Sequence, residues 1–279
     1  MTYKSIMCIL RTAEGDLAHL DHAVRLARQY DAHLDIVCLG VDRVQVGFYY
    51  AGATALVAEN SLAQAEEDAR ALKTFVSDRL KDTDIRWAVE AMVVQWGAIG
   101  PAVEQAARYS DLVVLPRPYG DDRGPEDEAI TEAALFLGPT PVLTVPPGWA
   151  GAVWGAEPMI ATNQGPEAMT AVRAALGALQ QAGQVNIAIV DPPRHGPERS
   201  DPGGALSMLL ARHGVRAEVS ILARSLPRIA DVLIRHAQDR KVDLVIMGAY
   251  GHSRLREAVL GGPTRDMLTD CPVPVLMAH

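Results

Sequence analysis

One segment of this 279-residue chain occurs twice, which limits the fold more than any other feature. Asp111-Leu-Val-Val-Leu-Pro116 matches Asp243-Leu-Val-Ile-Met-Gly248. Thr131-Glu-Ala-Ala-Leu-Phe-Leu-Gly-Pro-Thr-Pro-Val-Leu143 aligns without a gap on Thr264-Arg-Asp-Met-Leu-Thr-Asp-Cys-Pro-Val-Pro-Val-Leu276, with Pro139 and Pro141 on Pro272 and Pro274. Ala23-Val-Arg25 matches Ala171-Val-Arg173 in the same way. A period of half the chain is too long for stacked solenoid units, so the copies are two domains of one kind. The expected domains are 1–147 and 156–279, joined by Pro146-Pro-Gly-Trp-Ala-Gly-Ala-Val-Trp-Gly155, a stretch rich in residues that interrupt regular structure.

Each half alternates short β-branched runs with amphipathic stretches. In the second half strands are expected at Met159–Thr162, Val185–Val190, Ala217–Leu222, Val242–Met247 and Val273–Met277. Helices are expected between them, the first with Met169, Val172, Leu176 and Leu179 at helical spacing. Strands separated by helices need crossovers, which predicts an α/β fold with a mainly parallel sheet covered on both faces. The first half follows the same plan, with an added segment, 41–60, before a long helix at Ser61–Leu80. Its Phe48-Tyr49-Tyr50 run is expected to pack in part, or to form a lid, a separate pocket or a partner surface.

Composition matters mainly for what it excludes. A chain that is 49% hydrophobic and 22% charged has the apolar material for two cores. The net charge of −8 supplies no global field for nucleic acid or an anionic membrane, so neither is an expected partner. No apolar run approaches the ~18 residues of a membrane span. Lys4 to Arg11 is too short for a signal peptide, and the expected location is cytoplasmic. Cys8, Cys38 and Cys271 are far apart without a CxxC pair, so reduced thiols are expected, and no zinc ligand set is present.

Ligands of open α/β sheets bind at the carboxyl ends of the strands, where strand order reverses. After the strand at Val242–Met247 the chain reads Gly248-Ala-Tyr-Gly251-His-Ser-Arg-Leu-Arg-Glu-Ala-Val-Leu-Gly261-Gly262-Pro263-Thr264. Gly248 and Gly251 permit close backbone approach, and Gly261-Gly262 lead into a helix whose positive end favours phosphate. Pro263 suits the first helical position, and Thr264 adds a hydroxyl. The competing reading is a set of tight turns in a surface loop. His252, Arg254, Arg256 and Arg265 are nearby cations, although the arginines equally suit a solvated helix face.

Gly-x-x-Gly, nine residues, then Gly resembles the C-terminal signature of the universal stress protein family. Val-Asp-Leu-Val-Ile-Met-Gly and the terminal Cys-Pro-Val-Pro-Val-Leu strengthen the resemblance, which spans the chain as two tandem copies. It implies two tandem five-stranded parallel-sheet domains similar to the adenine-nucleotide hydrolase-like fold. It also implies that the cleft takes ATP (with Mg) or AMP, as in many members, or no nucleotide, as in others. By position the adenine side falls on Asn163 and on Ile189 or Val190. The ribose and phosphate side falls on Gly248, Gly251, His252, Gly261, Gly262 and Thr264. Asn163 can donate and accept toward an adenine edge, and it equally suits a turn. Two departures count against phosphate: Gly262 lacks the hydroxyl that ATP-binding members carry there, and Pro263 lacks an N–H.

The first half departs further, with Pro116-Arg-Pro-Tyr119 in place of the first two glycines and Asp121, Asp122 and Glu126-Asp-Glu128 where phosphate would lie. No nucleotide is expected there in the family's usual position. The resemblance implies pairing of the two halves through the terminal strands Pro141–Val145 and Pro274–Met277, with a homodimer of chains as a further level. The function expected is a non-enzymatic stress protein that binds an adenine nucleotide in the C-terminal domain only. The alternatives are a nucleotide-independent interaction module and a nucleotide hydrolase. Against the hydrolase, no nucleophile–base pair, Walker A sequence or two-carboxylate metal site stands near the glycines.

Overall fold

The computed structural model describes residues 3–13, 17–44, 53–192, 200–249 and 262–279, with side chains of the long second helix described from residue 58 onward. The Phe48-Tyr49-Tyr50 run and Gly251, His252 and Gly261 lie outside the described residues. Packing divides the chain into two compact units, Tyr3–Thr140 and Pro141–His279. The division precedes the last strand of the first repeat, whereas the sequence places it in the Pro/Gly-rich stretch at 146–155.

The first unit runs β1 (Ser5–Leu10), α1 (Ala18–Tyr30), β2 (His33–Asp42), α2 (Ala53–Leu80), β3 (Arg86–Gln95), α3 (Ile99–Ala107), β4 (Leu112–Pro116) and α4 (Pro125–Phe136). Its four strands are parallel, in the order β3-β2-β1-β4. Buried Ala65, Ala69, Leu72, Val76 and Leu80 form one stripe along α2 at spacings of three and four, which seats the helix on the sheet. Gly40 of β2 allows this contact, because a Cβ there would collide with the Ala65 carbonyl oxygen. Much of the segment read as an insertion thus belongs to regular elements: β2 extends to Asp42 and α2 starts at Ala53.

The second unit runs β5 (Val142–Val145), β6 (Pro158–Ala161), α5 (Pro166–Leu179), β7 (Val185–Val190), α6 (Gly204–Arg212), β8 (Ala217–Leu222), α7 (Ile229–Asp239), β9 (Leu244–Gly248), α8 (Pro263–Asp270) and β10 (Val275–Ala278). Five parallel strands in the order β10-β9-β6-β7-β8 make the sheet expected from the sequence, and β5 adds to β10 antiparallel. The β5–β10 register pairs Leu143 with Leu276, Val142 with Met277 and Thr144 with Val275. Leu143 and Leu276 are equivalent residues of the repeat, so a local two-fold axis relates these two strands. In α5 the buried face includes Ala168, Ala171, Val172, Ala175, Ala178 and Leu179, while Met169 and Leu176 are only half-buried. The alanines let α5 approach the sheet closely, and of the four apolar residues expected on this face Val172 and Leu179 are buried while Met169 and Leu176 are not.

One device occurs in both units. Asp111, just before β4, accepts hydrogen bonds from the Lys4 and Ser5 N–H groups at 2.7 and 3.0 Å. Its counterpart Asp243, just before β9, accepts from Ala156 and Glu157 at 2.8 and 3.1 Å. Each carboxylate ties the start of one central strand to its neighbour, at the end of the sheet away from the expected ligand cleft. The repeated aspartate therefore has an architectural role.

Candidate functional site

In the second unit the chain goes from β6 out to β7 and β8, then returns across β6 to β9. The reversal lies between β6 and β9, and the crevice at their carboxyl ends is the expected ligand position. The turn leaving β6 is locked by its own side chains. Thr162 Oγ1 accepts from the Gln164 N–H at 2.8 Å, and Asn163 Oδ1 accepts from the Gly165 N–H at 2.9 Å. Gln164 takes the left-handed conformation at φ 65°. Asn163 is exposed, and with its oxygen committed to the turn its amide NH2 remains as a donor.

The other candidate residues sort by their surroundings. Ile189 is buried beside Gly203, where an added Cβ would stand 3.0 Å from its Cδ1, so this side chain serves the contact with α6. Val190, at the carboxyl end of β7, is half-buried and the more accessible of the pair. Gly248 ends β9 under the first turn of α5, where a Cβ would stand 2.5 Å from the Ala168 backbone nitrogen. Helix packing therefore explains this glycine. Gly262 stands at φ 97° and ψ −171°, a region essentially reserved for glycine, with open space where a Cβ would be. It precedes α8, whose first residue is Pro263, and Thr264 is buried in the first turn. Because α8 joins two parallel strands, its N-terminus lies at the carboxyl edge of the sheet, and Gly262 has no side chain to cap it.

The corresponding place in the first unit is filled. α4 begins Gly124-Pro125-Glu126-Asp127, and Asp127 Oδ2 accepts from the Gly124 N–H at 2.8 Å, so the helix caps its own positive end. Arg11, one residue past β1, grips Asp127 with two nitrogens at 3.0 and 3.4 Å. Arg43 pairs with Glu126, and both carboxylates are buried. Burial pulls the Arg11 proton affinity down, and the hydrogen bond and charge of Asp127, with Glu126 behind it, more than offset this and raise it. Arg11, Thr12, Pro116, Arg123, Asp127 and Thr131 are among the residues lining a cavity of about 20 Å³, room for a water molecule and no nucleotide.

The sequence reading listed negative charge in this region and missed its partners. Arg11 and Asp127 are 116 residues apart, and their pairing had no local signal beyond the acidic first turn after Gly-Pro. It also missed a polar network on the second sheet. His236 Nε2 meets Asn186 Oδ1 at 3.0 Å, Asn186 donates to Ser220 at 2.8 Å, and Arg240 holds Glu218 with two nitrogens. Burial, then the Arg240 charge, pushes the His236 imidazole below its ordinary range, which keeps it neutral near pH 7. Asn186 and Glu218 stand at the start of β7 and β8, away from the carboxyl-end crevice. Burial also pushes the Cys8 and Cys38 thiols up, so neither is a nucleophile at neutral pH.

Comparison with known proteins gives a consistent result. Residues 159–279 match the model of the universal stress protein family. A universal stress protein of Synechocystis sp. is 30% identical over 92 residues, a match spanning 33% of this chain and 31% of that protein's own length. Among solved structures, a universal stress protein from Archaeoglobus fulgidus superposes with a TM-score of 0.76 at 12% identity, covering 100% of this chain and 96% of that one. A functionally unknown protein from Pseudomonas aeruginosa gives a TM-score of 0.60 at 18% identity, covering 99% and 92%. At such identities these two superpositions establish the fold alone. No helix among the described residues is long and apolar enough to cross a membrane.

Proposed function

We propose that this chain, whose second half belongs to the universal stress protein family, is a non-enzymatic cytoplasmic stress protein that takes one adenine nucleotide, in its second half. The observation that carries this reading is the contrast between the N-termini of the corresponding helices α4 and α8, although α4 starts five residues earlier in the repeat. Asp127 and its arginines occupy the first, and Gly262 leaves the second without a side-chain cap. Val190 at the carboxyl end of β7 and the Asn163 amide supply an apolar surface and a donor suited to a purine edge, with the phosphates directed toward α8. ATP with Mg and AMP are the ligands to compare.

A second reading, a nucleotide-independent interaction module, draws on Pro263. It removes an N–H from the first turn of α8, and a lost hydrogen bond to a charged oxygen weakens binding by roughly 1.5–3 kcal/mol. Titration calorimetry of the full chain with Mg-ATP and AMP separates the readings. One site per chain is expected, together with release of adenine nucleotide from the freshly purified, denatured protein, detected by mass spectrometry. Two sites per chain would overturn the filled first half. No heat, no released nucleotide and no melting shift at millimolar ligand would leave the interaction module.

A further inference from the structure

We propose that β3 is a self-association strand through which two copies of this chain pair antiparallel, with Ala91 on the two-fold axis. β3 is ten residues long and pairs with β2 in unbroken register from Arg86 to Gln95. Among the described residues no strand pairs with its other edge. Edge strands are ordinarily protected by shortness, charged side chains, proline or a bulge, and of these β3 has only Arg86 at its start and Glu90. Trp87, Ala88, Val89, Ala91, Met92, Val93 and Val94 make it apolar, yet none of its ten residues is buried. Its counterpart in the second unit, β8, has six residues and carries Glu218 clamped by Arg240. The same position in the repeat is thus six residues long in one unit and ten in the other.

The sequence of β3 selects a second copy as the occupant. A two-fold axis normal to a sheet keeps each side chain on its own face, so an antiparallel self-pair is centred where one residue meets its own copy. Two centres use nearly the whole strand, Glu90 and Ala91. Centring on Glu90 opposes two carboxylates. Centring on Ala91 places a small side chain on the axis, Val89 opposite Val93 of the second copy, Ala88 opposite Val94 and Glu90 opposite Met92, with no like charges facing. A symmetric pair also closes, using up the β3 edge of both copies. β5 and β10 already show this geometry within the chain, centred on the equivalent Leu143 and Leu276.

Sedimentation velocity of the full chain over a range of concentrations, with two substitutions at Ala91, tests the proposal. The wild-type chain is expected to dimerise. Ala91→Glu sets two carboxylates against each other on the axis and raises the dimer dissociation constant by roughly tenfold or more. Ala91→Cys places two thiols across an antiparallel pair at a spacing of about 4.5–5.5 Å between Cα atoms, within disulfide reach, so mild oxidation yields a covalent dimer. The native cysteines are buried and do not compete. Ala91 is exposed, and unchanged circular dichroism and melting of both variants separate lost association from lost folding. A wild-type chain that stays monomeric at every concentration overturns the proposal. So does a dimer that Ala91→Glu leaves intact, or one that Ala91→Cys fails to cross-link.

Discussion

At Gly262 the backbone stands at φ 97° and ψ −171°, so the missing hydroxyl at this position has a conformational cause as well as a chemical one. A side chain there is strained whatever space surrounds it, at a cost on the order of 1–3 kcal/mol. Restoring the family's serine by Gly262→Ser is therefore expected to lower unfolding stability by about that amount without tightening nucleotide binding. Denaturant unfolding and calorimetry of the same variant check both parts. Gly248 is a glycine for another reason, since the α5 backbone occupies the space its Cβ would need. Both residues stood out in the sequence as glycines near a ligand loop. Their separate causes were not legible, because a backbone dihedral and a helix contact leave no mark in the letter G.

At the scale of elements, the start of α4 and the end of β1 act together. Asp127 caps the helix and neutralises Arg11, whose side chain is 19% exposed against 6% for Asp127. Removing one partner leaves the other charge largely desolvated, so Asp127→Ala is expected to cost on the order of 3–5 kcal/mol. Combined with Arg11→Met, the cost should fall well short of the sum of the two single changes, because no charge is then stranded. A double-mutant cycle by chemical denaturation measures the coupling, and strict additivity would show the pair to be incidental. The acidic first turn of α4 was legible in the sequence from Gly124-Pro125 onward. The arginine that meets it was not, because it lies on another element.

At the scale of the molecule, β5 belongs with the strands that follow it. Its antiparallel pairing with β10 covers an edge that would otherwise stand open. A fragment of residues 158–279, which lacks β5, is therefore expected to self-associate through β10. Size-exclusion chromatography with light scattering tests this, and a monomeric 158–279 fragment would count against the edge argument. The boundary drawn from composition, in the stretch at 146–155, follows where the chain is irregular. The compact unit follows where strands pair, which is why the two differ.

The repeat, the alternation of strands and helices and the parallel character of the sheet were readable from the residues alone. Each rests on local periodicity or on crossovers that the order of elements requires. The pairing of Leu143 with Leu276 was within reach for a similar reason, since equivalent strands of a repeat carry the same edge. Only the tertiary structure decided that α5 buries its alanines rather than Met169 and Leu176, that Ile189 is buried while Val190 stays partly exposed, and that Arg11 closes on Asp127. These outcomes depend on the distance at which two elements come to rest, and that distance is set by the side chains of both together.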